Sequence, residues 1–164
     1  MTSPRHIGLK CLLLVFALDQ TTKAVALSFA PVLLGGVEVL PFFNVVLIRN
    51  PGVSFGLLGL APWWGLSALG LAVAAALAGW LWRAQSRWLA VGLGLLIGGA
   101  LGNVLDRVRH GAVTDFLDFH VAGHQWPAFN LADTAIVVGV ALLVVDGWRD
   151  PLRQTRPVLR KIDA

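Results

Sequence analysis

The chain contains little charge and almost no cysteine. Only 13% of its 164 residues are charged, whereas a soluble domain carries about 25%. With 57% hydrophobic residues and a mean hydropathy of +0.74, the composition excludes an ordinary soluble domain and indicates an integral membrane protein. The single cysteine, Cys11, excludes an intrachain disulfide and argues against a thiolate metal site.

Metal-binding spacing is also missing from the sequence. The four histidines, His6, His110, His120 and His124, form no HExxH or comparable motif, so we expect neither a metal nor another cofactor. The net charge of +4 does not indicate a nucleic-acid partner, because the basic residues lie at the ends of apolar segments. The positive-inside rule explains that distribution better.

Several apolar segments are long enough to cross a membrane, which takes about 20 residues of helix. The first contains Asp19 and Lys23, which are four residues apart and therefore meet on one helical face. They are either a neutralised packing pair or part of the wall of a polar site. A cleaved secretory signal has no reason to keep such a pair, so we expect the segment to be retained. Helices are predicted over about residues 7–30, 62–82, 88–105 and 130–148.

Residues 31–61 have a different character. Glycine and proline interrupt the apolar pattern, and residues 37–48 are rich in β-branched and aromatic side chains. That run is too short for a spanning helix and predicts one or two strands at the membrane interface, since open sheet edges cannot lie in lipid. The turn sequence that follows contains Asn50, either as a simple turn residue or as an amide that orients a substrate or a carboxylate.

The third predicted helix carries a stripe of small residues. Gly94, Gly98 and Gly102 recur at every fourth position and predict a face where another helix packs closely. Asp106 and Arg107 follow the expected end of this helix, and we interpret them as a structural ion pair in preference to a part of the catalytic machinery.

Basic residues indicate the orientation of the chain. They mark the N-terminus, the connection at 83–87 and a polar tail at 149–164, which the positive-inside rule assigns to the cytoplasm. Residues 31–61 and 106–129 are then on the outer face. The prediction is a single membrane domain over residues 1–164, mainly α-helical, with a bundle of four transmembrane helices and a small interfacial β-sheet on the outer face.

Three aspartates, Asp115, Asp118 and Asp133, lie between two strongly apolar segments, and ionisable groups at such places are candidates for function. Asn130 and Asp133 have capping-box spacing, which explains Asp133 without catalysis but leaves Asp115 unexplained. If Asp115 and Asp133 meet, one carboxyl stays protonated while the other ionises. The pair would then supply a general acid and a general base. Asp118 points away from Asp115 if the segment is extended and shares its face if the segment is helical.

Five motifs, in order along the chain, resemble those of the bacterial lipoprotein signal peptidases (signal peptidase II). They are Asp19-Gln20-Thr21-Thr22-Lys23, Asn50-Pro51-Gly52-Val53-Ser54-Phe55, Gly98-Gly99-Ala100-Leu101-Gly102-Asn103-Val104-Leu105-Asp106-Arg107, Val113-Thr114-Asp115-Phe116 and Pro127-Ala128-Phe129-Asn130-Leu131-Ala132-Asp133.

The resemblance implies an aspartic endopeptidase of the bacterial inner membrane, with its active site near the outer face. Its substrates would be diacylglyceryl-modified prolipoproteins, cleaved just before the lipid-bearing cysteine, and globomycin-type antibiotics would inhibit it. By motif, Asp115 and Asp133, and not Asp118, are the catalytic residues. We expect a monomer that contacts membrane lipids. The supporting or binding residues implied by the motifs are Asp19, Lys23, Asn50, Gly52, Asn103, Arg107, Asn130 and Ala132.

The sequence departs from the family pattern in two places. Pro51 and the pair Val53-Ser54 stand where small residues or threonine are usual, and the loop at 119–126 is short. A competing interpretation is a small proton-coupled transporter or relay protein, in which the intramembrane charges pass protons. That interpretation explains neither the interfacial strands nor the asparagine motifs. A non-enzymatic packing subunit would leave the acidic residues without a role.

Overall fold

The structure, a computed structural model, describes residues 3–52 and 62–149. The predicted polar tail beyond residue 149 and the Val53-Ser54-Phe55 part of the turn motif lie outside the described residues. The elements are α1 (Pro4–Ser28), α2 (Ala30–Leu33), β1 (Val37–Leu40), β2 (Phe43–Asn50), α3 (Trp63–Trp82), α4 (Arg87–His110), β3 (Val113–Val121), β4 (His124–Gln125) and α5 (Leu131–Arg149).

Four helices, α1, α3, α4 and α5, are long and apolar enough to span a membrane. The fold class predicted from the sequence, a mainly helical membrane protein with a small sheet, is thereby confirmed. The one-turn helix α2 lies at the start of the region predicted to form strands. It ends before Gly36, whose φ of 75° is a left-handed conformation that glycine adopts readily.

Helix α4 continues five residues past its predicted end at residue 105. It ends at Gly111, which has a φ of 71°, the usual left-handed helix stop. The predicted end at residue 105 was wrong, because the small residues at 98–102 pack against neighbouring helices inside α4 and do not terminate it. As a result, Asp106 and Arg107 lie on the same helix as Asn103, three and four residues further along, so that each is a neighbour of Asn103 on the helix surface.

Helix α4 is the central element of the bundle and packs against α1, α3 and α5. Its glycine stripe makes the contact with α1, as the sequence predicted. A Cβ atom added at Gly98 would lie 2.7 Å from the backbone oxygen of Leu12, and one at Gly102 would collide with the carboxylate of Asp19. Close backbone approach therefore brings the polar face of α1 directly onto α4.

The sheet is antiparallel, with strand order β1-β2-β3-β4. It lies at the end of the bundle where α1 and α4 end and α5 begins. Strands β1 and β2 confirm the strands predicted within residues 31–61, whereas the hairpin of β3 and β4 was not predicted. In the register between β2 and β3, Ile48 pairs with Asp115 and Asn44 pairs with Asp118. The segment containing both aspartates is therefore extended.

The close contact between α1 and α4 can be tested with two glycine substitutions. We expect Gly98→Ala to lower the free energy of unfolding by about 1–3 kcal/mol, because the added methyl group overpacks the interface. Gly79→Ala on α3 is the matched control, since no described atom lies within 4 Å of its Cβ position. Thermal unfolding in detergent is the measurement, and equal Tm values for the two variants would contradict the packing described.

Candidate active site

Most of the buried polar side chains among the described residues are gathered at the sheet end of the bundle. Asp19, Thr114 and Asn130 are 0% exposed, Asp115 is 1% exposed and Lys23 is 2% exposed. Buried polar and charged groups are costly unless they are hydrogen-bonded or paired. The partners of these groups therefore define how the site is built.

The ammonium group of Lys23 is held by three acceptors. Its Nζ lies 3.0 Å from Oδ2 of Asp19 and 3.4 Å from Oδ2 of Asp106. It also donates a hydrogen bond of 2.9 Å to Oδ1 of Asn103. An ammonium group has three N–H donors, so these contacts satisfy all of them and connect α1 to α4.

The partner of Asp106 differs from the one predicted. Its Oδ2 contacts Lys23 and accepts a hydrogen bond of 2.8 Å from the backbone N–H of Thr114. Arg107 instead donates from Nη2 to the backbone oxygen of Gly52, at 2.8 Å. The predicted Asp106–Arg107 ion pair is therefore wrong, because neighbouring residues on a helix point about 100° apart.

Asp19 connects α1 to the beginning of α5. Its Oδ1 accepts a hydrogen bond of 3.0 Å from the backbone N–H of Ala132, one of the free donors at a helix N-terminus. Gln20 donates from Nε2 both to Oδ2 of Asp19, at 3.0 Å, and to the backbone oxygen of Gly102, at 3.2 Å. Ala132 thus contributes its backbone, and its small side chain allows α5 to approach α4 closely.

Asp133 lies in the first turn of α5 and is held by two asparagines. Its Oδ1 accepts a hydrogen bond of 2.8 Å from Nδ2 of Asn103. Its Oδ2 accepts from the backbone N–H of Asn130 at 3.2 Å, and its own N–H donates to Oδ1 of Asn130 at 3.0 Å. This reciprocal pair is the capping box predicted from the spacing. The cap leaves the carboxylate of Asp133 partly exposed.

Asp115 accepts side-chain amide donors on both of its carboxyl oxygens. Nδ2 of Asn130 donates to Oδ1 at 2.7 Å, and Nδ2 of Asn50 donates to Oδ2 at 2.9 Å. Asn130 therefore touches both aspartates, Asp115 through its side chain and Asp133 through its backbone N–H.

Burial raises the pKa of Asp115 to about 6. The hydrogen bond from Asn50 lowers this pKa, the negative charge of Asp133 raises it, and the hydrogen bond from Asn130 and the charge of Lys23 lower it. The usual pKa of this carboxyl is 3.8. Because its pKa is raised, Asp115 is still protonated at a pH where an exposed aspartate has already lost its proton.

Asn50 and Arg107 both bind the backbone of Gly52, next to the two aspartates. Oδ1 of Asn50 accepts from the backbone N–H of Gly52 at 3.1 Å, while Arg107 binds the oxygen of the same residue. Asn50, Asn103, Arg107 and Asp133 line a cavity of about 320 Å³. We call this space the polar cavity.

Asp118 takes no part in this network. It accepts a hydrogen bond of 3.1 Å from Nδ2 of Asn44, its register partner on β2. Because β3 is extended and the two residues are three positions apart, Asp115 and Asp118 lie on opposite faces of the sheet.

The sequence profile of the family described as signal peptidase (SPase) II matches residues 11–149. The chain belongs to the signal peptidase II family. It is therefore a multi-pass membrane peptidase, and the resemblance of its five motifs is confirmed.

Individual relatives of the signal peptidase II family extend over most of the chain. The lipoprotein signal peptidase of Beijerinckia indica is 43% identical over 150 residues, which cover 89% of this chain and 90% of the relative. That of Burkholderia mallei is 48% identical over 143 residues, 84% of each chain. A solved structure of a bacterial membrane enzyme is similar with a TM-score of 0.76 at 28% identity, covering 89% of this chain and 90% of that one.

The structure brings together all ten residues that the sequence singled out, and hydrogen bonds or the Lys23 ion pair connect them without a break. Their catalytic and binding roles remain predictions. The set comprises Asp19, Lys23, Asn50, Gly52, Asn103, Arg107, Asp115, Asn130, Ala132 and Asp133.

Three further residues belong to the site, although the sequence analysis did not list them as site residues. Asp106 supplies the second carboxylate for Lys23, Gln20 braces Asp19, and Arg49 donates from Nη1 to Oγ1 of Thr114 at 2.9 Å. If the predicted α4 had extended to its observed end, Asp106 would have been placed in the site, because it lies about one helical turn from Asn103. Nothing in the sequence indicates the contact between Arg49 and Thr114, which depends on the register of β2 and β3.

Within residues 3–52 and 62–149, no group of three or more His, Cys, Asp or Glu side chains is arranged to hold a metal ion.

The central position of Lys23 leads to a stability prediction. Lys23→Met should lower the free energy of unfolding by about 3–5 kcal/mol, because it leaves two buried carboxylates without their cation. Lys10→Met, which removes an exposed lysine from the same helix, should change it by no more than about 0.5 kcal/mol. Thermal unfolding in detergent compares the two. A Tm for Lys23→Met equal to that of Lys10→Met would show that the ion cluster does not stabilise the bundle.

Proposed function

We propose that the protein is an aspartic endopeptidase that removes the signal peptide from diacylglyceryl-modified prolipoproteins by cleaving before the lipidated cysteine. The observation that carries this proposal is the coupling of Asp115 and Asp133 through Asn130, with hydrogen bonds of 2.7 and 3.2 Å. The substrate class is supported by relatives that are themselves lipoprotein signal peptidases. Family membership leaves the transporter interpretation without support.

The two carboxyls have different surroundings, which suit two different roles. Asp115 is buried and its pKa is raised to about 6, whereas Asp133 is more exposed and lies in the first turn of α5, where the helix dipole favours a negative charge. The carboxyl with the raised pKa, Asp115, is the one suited to carry a proton into the reaction. Asp133 is then the general base and Asp115 the general acid.

These roles give a hydrolysis without a covalent intermediate. Asp133 accepts a proton from water as the water oxygen attacks the scissile carbonyl carbon, and Asp115 donates its proton to the carbonyl oxygen. In the second step the carbon–nitrogen bond breaks. Asp133 then gives its proton to the leaving amine, and Asp115 recovers a proton from the diol hydroxyl. The pair thereby returns to its starting state.

The polar cavity can hold the peptide backbone. Nε of Arg107 is buried and has no hydrogen-bond partner among the described residues, so it can donate to a substrate carbonyl. Gly70 and Ala100, which also line the cavity, leave room for the small side chains of a peptide close to the carboxyls. Globomycin-type inhibitors, which the family resemblance implies, would occupy the same space.

The distribution of charge supports an orientation with both termini in the cytoplasm and the site near the outer face of the inner membrane. At the end of the bundle opposite the sheet, the guanidinium of Arg5 lies 5.4 Å from the ring centre of Trp82, and that of Arg149 lies 5.3 Å from the ring of Trp88. Basic residues mark the cytoplasmic side, and tryptophan concentrates at headgroup depth. The protein would function as a monomer surrounded by membrane lipids.

Substitution of each aspartate tests the catalytic pair. Cleavage of a lipidated prolipoprotein by the purified protein should slow by a factor of about 10²–10⁴ or more in Asp115→Asn and in Asp133→Asn, because each removes a general acid or base. Asp118→Asn is the matched control and should retain most of the activity. Wild-type rates in either Asp115→Asn or Asp133→Asn would disprove the proposed pair.

The pH dependence of cleavage provides a second test. Because the pKa of Asp115 is raised to about 6, the carboxyl is protonated below that pH and loses its proton as the pH rises. The kcat/KM should therefore fall as the pH increases through this region. Asn50→Leu removes a hydrogen bond that lowers the pKa of Asp115, so this decline should move to higher pH.

Asn44→Leu is the control for the pH profile, because it removes the equivalent donor to Asp118. Its profile should match that of the wild type. A decline that stays in place in Asn50→Leu, or that moves equally in Asn44→Leu, would show that Asp115 does not supply the titrating proton.

A further inference from the structure

Two separate cavities meet at Asp133. One is the polar cavity, and the other is a groove of about 450 Å³ along α5 and the segment that precedes it. We call the second space the α5 groove. Asp133 and Ile136 line both spaces, so the carboxylate lies where they join and Ile136 forms part of the wall between them.

The two cavities differ in the chemistry that they offer. The polar cavity presents Asn50, Asn103 and Arg107, whose amide and guanidinium groups can pair with a peptide backbone. In the α5 groove, the walls are mainly Phe129, Ile136, Val137 and Val138 together with Trp126 and Pro127. Apart from Asp133, its polar lining includes Thr134, whose hydroxyl already donates to the backbone oxygen of Asn130 at 3.1 Å.

An extended peptide does not suit the α5 groove. Each backbone N–H or C=O placed there without a partner costs about 2–7 kcal/mol, and the groove offers few groups to pair with them. A hydrocarbon chain carries no such groups and gains free energy from burial. The lining therefore favours an acyl chain over a peptide.

The groove also opens on the outside of the helix bundle. Val137 is 68% exposed and Val138 is 45% exposed, and both lie on α5, one of the candidate membrane-spanning helices. A chain already dissolved in the bilayer can therefore enter from the side. It needs no path through the interior of the bundle.

We propose that the α5 groove binds an acyl chain of the diacylglyceryl group on the substrate cysteine, while the peptide backbone lies in the polar cavity. The inference rests on the proposed function and identifies where the lipid is recognised. Cleavage occurs directly before the lipidated cysteine, so the acyl chains must leave the substrate within a few atoms of the scissile bond. A lipid groove that begins at Asp133 meets that requirement.

The test is a substitution that fills the groove, combined with substrates of different acyl length. Val137→Trp should raise the KM for a dipalmitoyl prolipopeptide by about tenfold or more, because each buried methylene adds to binding. The KM for a dibutyryl version should change by less than about twofold, since few methylenes are displaced. The kcat should stay close to wild type for both substrates. Val138→Trp, on the same wall, should give the same pattern.

Val144→Trp is the matched control. Val144 is 45% exposed on the same helix, about two turns from Val137, and lines neither of the two cavities. This variant should leave both KM values unchanged. Similar KM values in Val137→Trp and Val144→Trp for every acyl length would overturn the inference.

Two further outcomes would also reject the inference. If the effect of Val137→Trp follows the length of the apolar segment of the signal peptide and not the acyl length, the groove binds the signal peptide. If the wild-type protein cleaves no lipidated substrate of any chain length, the proposed function itself fails. That result is distinguishable from a failure of the groove assignment, in which the wild type cleaves normally.

Discussion

The ammonium group of Lys23 is the buried charge on which the other polar contacts depend. It lies in an apolar bundle where an unpaired charge would be prohibitively costly, and two carboxylates and one amide oxygen surround it. Each of these acceptors has a second task. Asp19 binds the first turn of α5, Asp106 binds the start of β3, and Asn103 orients Asp133. One cation thereby fixes the relative positions of three helices and a strand.

Close helix packing and the sheet bring the two aspartates together from different directions. The glycine stripe on α4 lets the backbone of α1 approach closely enough for Asp19 and Lys23 to reach α4. The capping box at the start of α5 fixes Asp133, and the β3 strand delivers Asp115. The same asparagine contacts both carboxyls, so the geometry of the pair follows from the fold.

Much of this arrangement could be predicted from the sequence, because the membrane imposes strong rules. Hydropathy located the four spanning helices, and the rarity of charge in such a chain made each aspartate conspicuous. Strand β3 was not predicted, since its polar residues Asp115, Asp118 and His120 mask the β pattern. Its pairing with β2 joins residues about 70 positions apart in the chain, and no local signal encodes that register. The partner of Asp106 was missed because Lys23 lies on another helix, far away in the chain.

The central claim is that Asp115 and Asp133 act as one pair that holds a proton on Asp115. Infrared titration of the protonated carboxyl band tests it most directly. The account predicts a band that disappears as the pH rises through about 6, the raised pKa of Asp115, and that is absent from Asp115→Asn. Because the charge of Asp133 raises this pKa, the transition should move to lower pH in Asp133→Asn. A band that persists in Asp115→Asn, or a transition that Asp133→Asn leaves in place, would contradict the account.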